Sequence, residues 1–292
     1  MRISENVEAW HAGPVTNSVP LPPVGEVELP GTLLSAVRAE FRRAFHSPYE
    51  TPIVVVVNGL LMTVLWFGLP VGLQDALFTL HGELAFPMVL ASWMISDVPA
   101  TNVVGPDRFR VASVLDDPQH LRRLLYAKNL VLWALVAPFC AAVAIGIGAS
   151  SHRLSTCLLT ALWIVIAPMG ALGVSAWVGI RFPYHPRPLR WRWENRHRWR
   201  TVIVRWLTLA LVPYALVPAL TVVILSPSLL VWNLGNDHGL NGRLADGEFA
   251  AGLVVSAALS AAMFFGGHRV GLAMARRRAE SLRAYLADPE RG

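Results

Sequence analysis

Six apolar runs, each long enough to cross a lipid bilayer, constrain this chain more than any other feature. They cover residues 52–71, 77–96, 129–149, 155–180, 201–226 and 249–271. An α-helix rises about 1.5 Å per residue, so about 20 apolar residues cross a hydrocarbon layer roughly 30 Å thick. Apolar residues make up 54% of the chain and charged ones only 15%, against about 25% charged in a typical soluble domain. The mean hydropathy of +0.47 points the same way.

The placement of charge supplies a topology. Of 25 basic residues all but Lys128 are arginines, a bias that points to a high-GC bacterial source. With the N-terminus in the cytoplasm, only Arg153 and Arg243 fall outside; every other basic residue lies inside or at an inner flank. The positive-inside rule therefore favours both termini in the cytoplasm. The expected fold is an all-α integral membrane protein with six transmembrane helices, multi-pass in the cell membrane.

An N-terminal interfacial amphipathic helix precedes the first span. Residues 1–30 are polar and proline-rich and read as a flexible cytoplasmic tail. Over 31–47, Leu33, Leu34, Val37, Phe41 and Phe45 recur at three-to-four-residue spacing, while Arg38, Glu40, Arg42 and Arg43 fill the other face. That pattern suits a helix lying along the lipid surface with its arginines toward the headgroups. The six-span body occupies 48–275, and 276–292 form a cytoplasmic C-terminal tail. No basic-then-apolar signal pattern appears in the first fifty residues. Cys140 and Cys157 read as small buried hydrophobes, with no metal-ligand spacing.

Polar residues and prolines within or beside the spans mark a possible substrate path. Pro213 and Pro218 share one span and bend it, either to line a cavity or as a packing kink. His81 and Glu83 sit at the outer start of the second span. A carboxylate there either contacts a cationic substrate or stays hydrated at the interface. The segment from Pro227 to Glu248 is too polar to cross, and its apolar head can dip into the outer leaflet. Arg187 to Arg205 interleaves arginine with tryptophan (RPLRWRWENRHRWRTVIVR). Flanked by spans, it reads as an interfacial anchor rather than a nucleic-acid site.

Between the second and third spans runs NVVGPDRFRVASVLDDPQHLRRLLYAKNL, residues 102–130, a charged and helix-prone stretch. Asn102, Gly105, Asp107 and Arg108 open it, and Arg122, Arg123, Lys128 and Asn129 stand where it re-enters the bilayer. This pattern resembles the first cytoplasmic loop of the ABC-2 type permeases, the membrane-spanning subunits of ATP-driven exporters. Loosely, the resemblance extends over residues 32–275, and Arg181-Phe182-Pro183 is similar to the turn that often ends that family's fourth span. The arginine density of the following loop departs from the family.

The resemblance implies an interfacial helix and a cytoplasmic loop that rest on a separate ABC ATPase, which carries the ATP and Mg. Asn102, Gly105, Asp107, Arg108, Arg110, Asp116 and Asp117 are then the coupling loop. A second permease half, identical or homologous, completes the unit, and the lipid bilayer surrounds it. The expected cargo is hydrophobic or amphipathic, a lipid, glycolipid or drug, because almost nothing charged lies at mid-bilayer.

The chain itself lacks a phosphate-binding loop, since its single lysine follows Leu-Leu-Tyr-Ala rather than a glycine-rich turn. No catalytic, cofactor-binding or metal-binding residue is expected in it. Asp116-Asp117, before Pro118, suits a helix N-terminus, with the short helix 118–128 following. Two alternatives remain: a non-transporting scaffold or assembly factor, and an intramembrane enzyme that uses Asp116 and Asp117.

Overall fold

The computed structural model describes residues 30–46, 50–70, 72, 85–96, 98–151, 154–185, 189–198, 203–234 and 247–288. Among these the secondary structure is helical. Helix α1 (Leu33–Ala44) lies outside the bundle, followed by α2 (Glu50–Gly68), α3 (Ala85–Ile95) and the short α4 (Val98–Thr101). After a 3-10 turn at Gly105–Asp107 come α5 (Arg108–Val114), α6 (Pro118–Ser151), α7 (Leu154–Arg181) and α8 (Leu189–Glu194), the last followed by a second 3-10 turn at Arg196–Arg198. The chain closes with α9 (Ile203–Leu234), α10 (Gly247–Arg277) and α11 (Ala279–Ala287).

Five of these helices, α2, α6, α7, α9 and α10, are long and apolar enough to cross a membrane. The chain is thus a multi-pass helical membrane protein. The second expected span is described only over α3, a shorter apolar helix. Residues 77–84, with His81 and Glu83 among them, lie outside the described residues.

Helix α7 is the hub of the bundle: 67% of its crossing segment is buried, against 22% for that of α2. Small residues let α10 lie directly against it. A methyl group on Gly173 would fall 2.3 Å from the Phe264 Cα, and one on Gly267 the same distance from the Gly173 carbonyl. The inward stripe of α10 (Gly252, Ser256, Ser260, Phe264, His268, Gly271, Ala275) repeats every three to four residues. This is the small-residue packing by which backbones approach closely inside lipid.

Polar atoms within the bundle are sewn across helices. The Trp133 indole donates to the Val165 carbonyl at 2.9 Å, and the Ser260 hydroxyl to that of Ile166 at 2.6 Å. These carbonyls lie just ahead of Pro168, where a proline disturbs the helical ladder. Asn129 Nδ2 donates to the Leu172 carbonyl at 2.9 Å and lies 3.1 Å from His268 Nε2. His268 Nδ1 donates to the Phe264 carbonyl at 2.7 Å.

Three boundaries differ from the sequence expectation. The third span and its preceding short helix are one uninterrupted α6 of 34 residues, about 50 Å long, so its first turns project beyond the hydrocarbon. Asp117 starts it as expected: its carboxylate accepts from the backbone N–H of Gln119 at 2.9 Å and His120 at 3.1 Å. Helix α9 continues through Pro227 to Leu234 instead of breaking into a dipping segment. The Ser226 hydroxyl donates to the Val223 carbonyl, the acceptor that Pro227 leaves without its N–H partner. After α10, Arg278 donates to the Ile180 and Arg181 carbonyls at the end of α7. Helix α11 then folds back, burying Leu282, Tyr285 and Leu286 against Val111, Leu115 and Leu125.

Candidate functional site

The end of the bundle where α6 begins and α7 and α10 finish carries a dense polar cluster. Its foundation is the stretch between α4 and α5. Asn102 is buried; its Nδ2 donates to the Tyr184 carbonyl at 2.9 Å, and its Oδ1 accepts from the Gly105 N–H at 3.3 Å. Gly105 must be glycine, because a methyl group there would meet the Tyr184 carbonyl oxygen at 1.7 Å. These contacts fix the turn that presents Asp107.

Asp107 is the hub of the cluster. Its Oδ2 lies 2.8 Å from Lys128 Nζ, 3.0 Å from Arg43 Nη1 and 3.5 Å from Arg110 Nη1. Lys128 also donates to the Val103 carbonyl at 2.7 Å, a geometry that suits the compact ammonium of the chain's sole lysine better than a planar guanidinium. Arg110 is paired in turn with Glu40 of α1. Two carboxylates and three cations thus bind α1, the loop and the foot of α6 together.

The two acids respond oppositely to this setting. Burial pushes the Asp107 carboxyl up, but Lys128 and Arg43, through charge and hydrogen bonding, outweigh it and hold the group below its usual value. Burial also pushes Glu40 up; Lys128 and Arg43 oppose, Asp107 adds like-charge repulsion, and the net direction is upward. Asp107 is the firmly ionised centre, and Glu40 is the acid nearer to taking a proton.

Helix α1 departs from the simple amphipathic expectation. Thr32 and Ser35 cap its start reciprocally. Leu34 is 72% exposed, and Leu33, Phe41, Arg38 and Arg42 are also exposed, with Val37 half-buried. The face turned to the protein carries Ala36 and Glu40. Glu40, expected among the solvated residues, is the one buried carboxylate among the described residues. Two faces therefore emerge, one apolar and basic toward the surroundings, the other narrow and acidic toward the loop.

Of the expected coupling residues, Asn102, Gly105, Asp107 and Arg110 converge here. Arg108 is turned over the Phe109 ring at 4.4 Å. Asp116 and Asp117 lie at the far end of α5 with their carboxylates parted: Asp116 Oδ2 meets Arg283 of α11 at 2.7 Å, and Asp117 caps α6 and contacts His120 Nδ1. Among the described residues no group of three or more His, Cys, Asp or Glu side chains converges as for a metal ion. Of the proposed path residues, Pro213 is buried and Pro218 exposed. The cleft between α3, α7 and α9 is lined instead by Ser92, Trp163, Pro168 and Thr221 among others.

Sequence reasoning missed the structural part played by Glu40, Arg43 and Lys128. Their signals were present as a lone acid in an arginine-rich helix and as the only lysine of the chain. No protein-family model, no curated protein and no solved structure matches the chain.

Proposed function

We propose that this chain is the membrane-spanning half of an ATP-driven ABC exporter, moving a hydrophobic or amphipathic substrate across a bacterial cell membrane. One observation carries the reading. Glu40, Arg43, Asp107, Arg110 and Lys128 tie a surface helix and a loop to the foot of a membrane-crossing helix. A push on α1 or the loop is thereby delivered to α6, as a transporter driven by a separate ATPase requires. The resemblance of residues 102–130 to the ABC-2 loop supports the same reading. So does the concentration of arginines at this end, which favours a cytoplasmic location under the positive-inside rule.

In this proposal ATP closes a pair of ATPase subunits beneath two such halves, and the bundle moves toward release. ATP displaces that equilibrium only as far as it binds one state better than the other. The lack of buried carboxylates within the described spans suits a lipid-like cargo.

The test is affinity purification of the tagged chain from its native membranes in mild detergent, with identification of the co-purifying proteins. An ATP-binding subunit in stoichiometric amount, its ATPase rate altered by Arg108→Ala, is the expected result. Recovery of the chain with no nucleotide-binding protein overturns the exporter reading and leaves the scaffold or the Asp116/Asp117 enzyme.

A further inference from the structure

The exporter reading leaves the tryptophan- and arginine-rich segment before α9 unused. Between residues 187 and 200 it carries six arginines against a single acid, Glu194, so the segment is strongly positive. Its described part is α8 and the 3-10 turn at Arg196–Arg198. The acid is already engaged: Arg190 Nε lies 3.0 Å from Glu194 Oε1, one turn along the helix. Arg196 has no carboxylate partner among the described residues. Its Nη1 donates to the Trp193 carbonyl at 3.0 Å, and its guanidinium stands 5.2 Å from the centre of the Trp193 ring. That indole is 72% exposed, and Arg196 is exposed beside it. An aromatic ring and a cation are thus presented together to the surroundings.

The surroundings follow from the fold. Helix α8 is tethered at both ends to helices long and apolar enough to cross a membrane, α7 ending at Arg181 and α9 beginning at Ile203. Asn102 holds the Tyr184 carbonyl, and Leu189 follows five residues later. The start of α8 therefore lies within about 18 Å of that turn. The surface within such reach is the headgroup layer of the bilayer that the spans cross. An indole suits that layer, with its ring toward acyl chains and its N–H among headgroups. Arginines held there attract anionic lipids.

We propose that α8 and the turn behind it are a contact for anionic phospholipid headgroups, with Trp193 at the boundary with the acyl chains and Arg196 against a phosphate. The inference needs only the membrane-spanning fold and stands apart from the exporter reading.

The full chain, labelled with fluorotryptophan, is placed in nanodiscs of phosphatidylcholine with rising fractions of phosphatidylglycerol. The fluorine resonance missing from Trp193→Phe belongs to Trp193. A phospholipid spin-labelled high on its acyl chain is expected to broaden that resonance more than a water-soluble gadolinium chelate does, increasingly so as phosphatidylglycerol rises. In Arg196→Gln the fraction giving half of this change should rise about fivefold, the loss of one arginine near a charged lipid surface. The double variant Arg190→Gln/Glu194→Gln keeps the net charge and should leave that fraction where it was. Broadening by the chelate alone puts Trp193 in water and overturns the proposal; protection from both agents puts it beneath protein and does the same. A response to phosphatidylglycerol that survives in Arg196→Gln overturns it in favour of diffuse surface attraction.

Discussion

Replacing Asp107 with asparagine removes one negative charge from the centre of the cluster while keeping its size. Three cations, Arg43, Arg110 and Lys128, then share a single carboxylate, Glu40. The side chains of Asp107, Lys128 and Arg110 are only 17%, 15% and 13% exposed, so water screens the loss poorly. At an effective dielectric of about 20, each contact of 3–4 Å is worth roughly 4 kcal/mol before the cost of taking the charges from water. Stripping one partner from a buried pair costs about 3–5 kcal/mol net. Because Arg43 is 41% exposed and contributes little, about 3 kcal/mol is the expected loss, at the lower end of that range. Asp116→Asn, whose side chain is 74% exposed, should stay within about 1 kcal/mol of the native protein. Both are read by reversible unfolding in mixed micelles at rising dodecyl sulfate fraction, followed by the fluorescence of the 11 tryptophans. A double-mutant cycle with Lys128→Met should return a coupling of about 1–3 kcal/mol. If Asp107→Asn and Asp116→Asn lose the same stability, or if the cycle is additive, the cluster does not hold the loop to α6 and the reasoning fails.

Four other perturbations follow from the structure. Gly105→Ala has no room beside the Tyr184 carbonyl and should destabilise by about 3 kcal/mol or prevent folding. Gly146→Ala, on the exposed surface of the last two turns of α6 with nothing within 4 Å, should stabilise by up to about 1 kcal/mol, both changes being measurable by thermal aggregation in detergent. The acids set opposite pH dependences. Asp107, held below its usual 3.8, contributes stability that is present above that value and is lost as pH falls through its lower folded value. Glu40, raised above 4.5, contributes stability present below 4.5 and lost as pH rises through its folded value. Melting temperatures taken from pH 7 down to 4.5 should therefore show a gain from Glu40 that Glu40→Gln abolishes; an unchanged profile refutes the assignment. Arg278→Gln removes the donor to the Ile180 and Arg181 carbonyls and should cost about 1 kcal/mol, with faster amide exchange at the end of α7 as its local signature.

Length and apolarity alone determined most of the spans. The first, third, fourth, fifth and sixth runs all became long helices, because no lipid-exposed backbone is stable in hydrocarbon except as a helix or a closed barrel. Local chemistry also sufficed for one helix start: Asp117 with Pro118 begins α6, since these interactions reach only three residues along the chain. Helix ends were less legible. Pro227 looked like a stop, yet Ser226 satisfies the carbonyl that it strands, and a proline count does not reveal which neighbour will do so.

Only the tertiary structure decided which charges matter. Periodicity placed Glu40 with Arg38, Arg42 and Arg43 on one polar face, but a polar face does not say which of its members is buried. That choice depends on Arg110, 70 residues later in the chain, and on Asp107, 64 residues from Arg43. Lys128, near the start of α6, could equally have reached headgroups. The turn that Asn102 and Gly105 hold against Tyr184 brings Asp107 within 2.8 Å of it. Ion pairs between distant segments exist only once packing has lowered the local dielectric and fixed the partners, so the sequence determined the bundle and the fold determined its electrostatic joint.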